Sequence, residues 1–280
     1  MNSKLKKRLA RVTFLNIPLI LLAVFVLAPF YWVVNTSFKT SREVFTTPIT
    51  YWPYEPIISN YTNLFTQMGF GTYFLNSFFV AITTTVIVGF LTLLGGYAMS
   101  RYQFKGKTFV YILLLLTQMF PAVVLMIPLF QTMLSLNLIN NLWSLVIVCS
   151  VTSLPFCLFM MMGFYNLVPT TLEEAAQADG CSLVGAVFRV LLPVMAPSIV
   201  AVSAFAFINA WNVYVYAVAF ITRTDNFTIP LALRFFSGEV GINYAGLAAA
   251  AVVSMMPVLI LFAYIQRHLV RGAISGAVKG

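Results

Sequence analysis

The sequence predicts an all-α integral membrane protein with six transmembrane helices and both termini in the cytoplasm. Three observations carry that expectation. First, 61% of the 280 residues are hydrophobic and only 8% are charged, against about 25% charged in an ordinary soluble domain. So few charges cannot cover a soluble globule of 31.2 kDa, and the mean hydropathy of +0.93 says the same. Second, the charge-free intervals are long enough to cross a bilayer. Third, Lys and Arg are distributed unequally on the two sides of those intervals. The net charge of +9 is therefore read as an orientation signal. Membrane lipid is the expected surrounding, and disordered, fibrous and nucleic-acid-binding readings are excluded.

Five charge-free intervals run from Val12 to Phe38, Pro56 to Ser100, Thr108 to Leu172, Val190 to Thr222 and Val240 to Gln266. One span needs about 20 apolar residues. The 65-residue third interval is too long for one span, and its polar stretch Ser135–Asn141 divides it in two. The six spans fall near 12–36, 73–99, 109–134, 142–166, 196–221 and 243–266. A β-barrel is excluded because runs such as Tyr111–Leu116 are apolar on every side, whereas barrel strands alternate. The first apolar stretch is too long for a cleaved signal, and no A-x-A site follows it.

Twelve basic residues fall on one side of this arrangement, including Lys4, Lys6, Lys7, Arg8, Arg11, Arg101, Arg189 and Arg271. The other side has four, Lys39, Arg42, Arg223 and Arg234. That asymmetry puts both ends in the cytoplasm.

All seven acidic residues lie outside the spans, and the one histidine, His268, follows the last. An ion-coupled carrier usually needs an ionisable group within the membrane, so a secondary carrier is the weaker alternative. No HExxH motif occurs, and no metal site or catalytic residue is expected. Gly106-Lys107-Thr108 looks like the end of a phosphate-binding loop, but Arg101 stands where its first glycine belongs. The chain has no nucleotide site of its own. Cys149, Cys157 and Cys181 have no CxxC spacing and read as reduced thiols.

Within the spans, Asn76, Gln118, Asn209 and Asn212 are polar, and Pro121, Pro128 and Pro155 imply kinks. The run Ala245–Ala251 gives the last span a small-residue face suited to close packing.

The loop at about 167–195 is acidic on the basic side of the membrane. Thr170/Glu173 and Thr171/Glu174 each match a capping box. Pro169 precedes them, and Gly180 supplies a left-handed stop. Local rules thus specify a two-turn helix with small residues Ala175, Ala176 and Ala178. A second helix starts at Ser182 and ends near Pro193. Such a short helix is marginal alone, and a protein groove suits it better than lipid.

The spacing Glu174-Ala175-Ala176, Gly180, then Val190-Leu191-Leu192-Pro193 resembles the EAA loop of binding-protein-dependent ABC importer permeases. Val190 stands where the motif has isoleucine. Ser37-Phe38-Lys39, Asn60-Tyr61, Ala210-Trp211-Asn212 with Tyr214, and the tail Ser275–Gly280 are similar to the carbohydrate-uptake branch, which includes the maltose-system G subunits. The resemblance implies a type I ABC importer permease fold in three parts. Residues 1–68 would hold the cytoplasmic amino end, first span and first outer loop. Residues 69–266 would form the permease core, and 267–280 a cytoplasmic tail.

The resemblance further implies a second homologous permease subunit, two ATPase subunits that bind the ATP and Mg, and an extracytoplasmic solute-binding protein. The chain itself needs no cofactor. Glu173, Glu174, Ala175, Ala176, Asp179, Gly180, Leu192 and Pro193 are the expected coupling residues. The two glutamates are expected to cap the helix and meet basic residues of the ATPase. The tail, with Gly272, Gly276 and Gly280, would follow an extended path to the ATPases. A route of aromatic faces and amides without fixed charge suits a neutral polyhydroxylated solute. Asn209, Trp211, Asn212, Tyr214 and Gln118 are its expected lining. Oligosaccharides, monosaccharides, polyols and glycerol phosphates all remain open.

Overall fold

The computed structural model of the chain describes residues 12–238 and 241–277, with 267–277 described through their backbone. The basic cluster Lys4–Arg11, Glu239 and Lys279 lie outside the described residues. In chain order the helices are α1 (Ile17–Ser37), α2 (Ser59–Thr66), α3 (Phe70–Arg101), α4 (Lys107–Gln118), α5 (Ala122–Ser135) and α6 (Leu142–Leu167). There follow α7 (Thr171–Ala178), α8 (Leu183–Ala186), a π-helical segment Val187–Leu191, α9 (Leu192–Val194) and α10 (Ala196–Trp211). The chain closes with α11 (Val215–Phe220), α12 (Ile229–Ala232), a two-residue antiparallel pair β1 (Ser237–Gly238) and β2 (Gly241–Ile242), and α13 (Tyr244–Ala277).

Four helices, Thr13–Ser37, Phe70–Arg101, Leu142–Leu167 and Tyr244–Gln266, are each long and apolar enough to cross a membrane. Two bent pairs, Lys107–Gln118 with Ala122–Ser135 and Leu183–Val194 with Ala196–Trp211, bring the described residues to the expected six if each pair is counted as one span.

The first bent pair corrects the third span. Helix stops at Gln118 and restarts at Ala122, with 103° between the halves. Pro121 sits at the break with ψ 136. Proline removes a donor and pushes the residue before it out of the helical region. Pro128 and Pro155, by contrast, are carried inside continuous helices. The second pair corrects the fifth span. Leu183–Val194 meets Ala196–Trp211 at 76°, and helix ends at Trp211 instead of running on to 221. The expected tail is corrected too: α13 continues to Ala277, so Gly272 and Gly276 lie in helical backbone.

The chain forms two compact units. Among the described residues, one comprises those of 12–69 and 233–256. In it α1 presents apolar side chains such as Leu21 and Phe25 outward, as a lipid-facing helix does. Its ordered loop is held by polar anchors. Lys39 Nζ donates to Thr50 O and lies over the Trp32 ring, Glu43 accepts from Tyr54 N at 2.9 Å, and Asn60 Nδ2 donates to Ser37 O and Lys39 O. The small-residue face is packed within the chain: Ala245, Ala248, Ala249 and Ala250 are buried. A side chain at Gly246 would meet Asn243 Nδ2 at 2.9 Å.

The other unit comprises 70–232 and 257–277 among the described residues. Helices α3, α6 and α10 pack on one another. Small residues let α3 and α6 approach: a Cβ on Gly95 would lie 2.8 Å from Leu158 Cδ1, and one on Gly96 2.9 Å from Met161 Cγ. Val88, Met161, Tyr165 and Val202 form the core between them, and Leu191 and Met195 belong to the same cluster. The far end of the 167–195 loop is thereby planted among the membrane helices. Cys149 and Cys157 are buried free thiols, and Cys181 is a partly exposed one.

Candidate functional site

The 167–195 loop folds much as its local sequence dictates, with one instructive departure. Helix α7 spans two turns, and Gly180 ends it with φ +90. Nothing lies within 4 Å of a Cβ built there, so the demand for glycine comes from the left-handed backbone. Ser182 caps α8, its hydroxyl accepting from Gly185 N at 3.1 Å. The second helical segment ends at Val194, one residue past the expected proline.

The departure is the capping box. Thr170 sits at the N-cap with helical φ and ψ and makes no side-chain cap bond, while Thr171 is already inside the helix. Glu173 does not reach back to the helix start. Its Oε1 accepts from Arg101 Nε at 2.7 Å, and its Oε2 accepts from the Tyr97 hydroxyl at 2.9 Å. The competing partner carries a full charge and sits where water is scarce, so it outweighs a neutral backbone N–H. Arg101 also donates from Nη2 to Val168 O at 2.9 Å. Beside it, Ser100 Oγ lies 2.6 Å from Asn166 Oδ1. Arg101 and Tyr97 are the residues that sequence reasoning missed here. In the sequence Arg101 reads as a topogenic charge and as the residue that breaks the phosphate-loop pattern.

The eight expected coupling residues thus divide by facing. Glu173 and Ala176 are buried, one turn apart on the same helical face, and α7 packs on α8 and the π-helical segment. Glu174, Ala175, Asp179 and Gly180 are exposed, as is Ala178 beside them. Leu172, Val184 and Phe188 add exposed apolar side chains to the loop. Leu192 is half-buried and Pro193 exposed. Within this chain the Glu173 carboxylate is held by Arg101 and Tyr97.

The second candidate site is a cavity of about 300 Å³ beside α10. Gln118 reaches it from the end of α4 at the proline break, Asn209 from α10, and Tyr214 from the short link to α11. Thr152 and Ser153 line it from α6. Phe156 and Phe205 form a tilted pair in its wall, ring centroids 4.4 Å apart. Asn209 Nδ2 donates to Phe205 O at 2.9 Å. No ionisable carboxylate or cationic side chain lines the cavity.

Of the five expected lining residues, three meet here and two do not. Trp211 is 3% exposed, stacked on Phe207 and edge-on to Phe74 at 5.5–5.7 Å. It is a packing residue. Asn212 follows the helix end, and its Nδ2 donates back to Ile208 O at 2.9 Å. Asn76 braces a loop, with Nδ2 donating to Asp225 O and Phe227 O. No group of three His, Cys, Asp or Glu residues suits a metal ion among the described residues.

A chain with two bent spans, an EAA-type helix at one end of α3 and a charge-free cavity within the spans has the architecture of a transport permease. Residues 92–275 match the family model of the binding-protein-dependent transport system inner membrane component, and the chain belongs to that family. It is an inner-membrane, non-catalytic ABC transporter permease. It is 35% identical over 254 residues to the sulfoquinovosyl glycerol transport system permease protein of Agrobacterium fabrum, covering 91% of this chain and 89% of that one. It is 30% identical to the trehalose/maltose transport system permease protein of Thermococcus litoralis, covering 93% and 94%. Its fold superposes with a TM-score of 0.78 on a chain of a bacterial ABC transporter involved in the import of the acidic polysaccharide alginate, at 20% identity over 95% of this chain and 98% of that one. The fold is that of a type I ABC importer permease.

Proposed function

We propose that this permease carries a sugar or oligosaccharide across the inner membrane by alternating access, driven by partner ATPases. The observation that carries the substrate class is the cavity of Gln118, Asn209 and Tyr214. It offers amides, hydroxyls and aromatic walls but no charge, which matches a neutral polyol surface. The relatives' names support a sugar or glycoside, while neutrality is argued from the cavity lining alone, since sulfoquinovosyl glycerol carries a sulfonate. The cavity is at the small end of ligand pockets, about 300–1,000 Å³, so it suits one sugar ring of a longer substrate.

In this reading two ATPase subunits bind ATP and Mg, a second homologous permease completes the pathway, and an extracytoplasmic binding protein delivers the solute. The exposed face of α7, with Glu174, Ala175 and Ala178, docks on an ATPase. Asp179 and Gly180 form the turn that carries its movement into α8. Leu192 and Pro193 relay it to α10. ATP and the loaded binding protein must favour the outward-facing state over the inward one, since a ligand shifts an equilibrium only by its differential affinity. Both termini lie in the cytoplasm.

The test is uptake in proteoliposomes holding the purified assembly. Accumulation that requires ATP inside and the binding protein outside, and that neutral sugars inhibit, is the expected result. Accumulation driven by a proton or sodium gradient without ATP would overturn it in favour of a secondary carrier.

A further inference from the structure

We propose that Arg101, a positioning residue, latches α7 to the end of α3, so that a displacement of α7 enters the membrane helices through α3 as well as along the chain. The inference rests on the reading of α7 as the coupling helix. Along the chain, α7 is joined to its neighbours only by the short links 168–170 and 179–182. Arg101 adds a connection across 72 residues of sequence.

Its guanidinium sits where three elements meet. Nε holds Glu173 of α7, Nη2 holds Val168 O at the end of α6, and Arg101 is itself the last residue of α3. The second carboxylate oxygen is taken by Tyr97, one turn earlier on α3. Both oxygens of Glu173 are therefore held by the same helix. The Arg101 and Glu173 side chains are 10% and 7% exposed, so water competes little for either. The other ion pair among the described residues, Arg223–Asp225, is at 3.5 Å with both partners well exposed. Arginine's planar fork fixes geometry as well as distance.

The facing of α7 makes the latch compatible with a docked partner. Glu173 and Ala176 look inward, while Glu174, Ala175 and Ala178 look outward. A partner can grip the outer face without opening the pair. The helix gives up its capping box to make this contact, so the local rule yields to a long-range one at this one helix start.

The test reads solute accumulated per ATP hydrolysed, and ATPase retained, in the reconstituted assembly. Arg101→Gln and Glu173→Gln should each keep the ATPase subunits yet lower solute per ATP about tenfold, within the usual span of inter-site coupling. Tyr97→Phe keeps both charges and loses one bond, and should lower it about threefold. The exchange Arg101→Glu with Glu173→Arg should exceed both single variants. A merely structural pair would lower the amount of assembly and leave the ratio alone. An unchanged ratio in the two glutamine variants overturns the latch. If those two fail to assemble, an unchanged ratio in Tyr97→Phe overturns it. A wild-type chain that retains no ATPase would instead refute the coupling reading on which the latch depends.

Discussion

Around α7 the chain buries a full ion pair, Arg101 with Glu173, whereas the cavity beside α10 is lined by amides, hydroxyls and aromatic rings alone. The two regions belong to the same packed unit and meet opposite demands. A buried charge pair is stiff: each partner strands the other if it leaves, so the geometry persists while force is applied. A lining of neutral groups binds weakly and in many orientations, so a solute can enter and also leave. A region built to transmit motion and a region built to pass a solute should therefore respond differently to substitution.

The largest effect is expected at the pair. Arg101→Met leaves Glu173 buried without its counter-ion and should cost about 3–5 kcal/mol, while Arg101→Met combined with Glu173→Leu should cost much less. Thermal unfolding of the purified protein in detergent measures both. Equal losses in the single and double variants would mean that the pair is solvated and that the contrast is false.

Next comes Trp211, which the sequence groups with the lining and the structure places in the packing. Trp211→Ala should remove about 3–5 kcal/mol by leaving a void against Phe74 and Phe207. Its uptake defect should track the loss of folded protein. A fully folded Trp211→Ala chain with altered selectivity would return the residue to the pathway.

The smallest effect on stability is expected inside the cavity. Asn209→Ala gives up one hydrogen bond to Phe205 O, worth about 1 kcal/mol. Uptake should fall, or its selectivity change, with unfolding barely shifted. Normal uptake by both Asn209→Ala and Gln118→Ala would assign the pathway elsewhere.

The sequence made the spans legible because apolar length is a strong signal that needs no partner. Helix α7 and its left-handed stop were legible for a related reason: Pro169, the alanines and Gly180 act locally. What was hidden was long-range. Arg101 and Glu173 stand 72 residues apart, and no spacing rule joins two helix ends that meet only after folding. The capping box failed because it is a rule for a helix without better offers. Pro121 announced a bend, but the 103° turn depends on what packs around it. Trp211 and Asn209 look alike as polar or aromatic positions in an apolar span. Only the two-residue step around α10 puts one in the core and the other on the cavity.

Gly180 gives the most direct test of the claim that the 167–195 loop couples ATP hydrolysis to transport. With φ +90 and empty space around it, a β-branched residue there strains the backbone by about 1–3 kcal/mol while touching neither the core nor the cavity. The measurement is ATP hydrolysis by the reconstituted assembly, with and without loaded binding protein, in wild type and Gly180→Val. The account predicts stimulation in wild type, and in the variant an inserted permease whose hydrolysis no longer rises and whose solute uptake is lost. Wild-type stimulation together with wild-type uptake in Gly180→Val would contradict it.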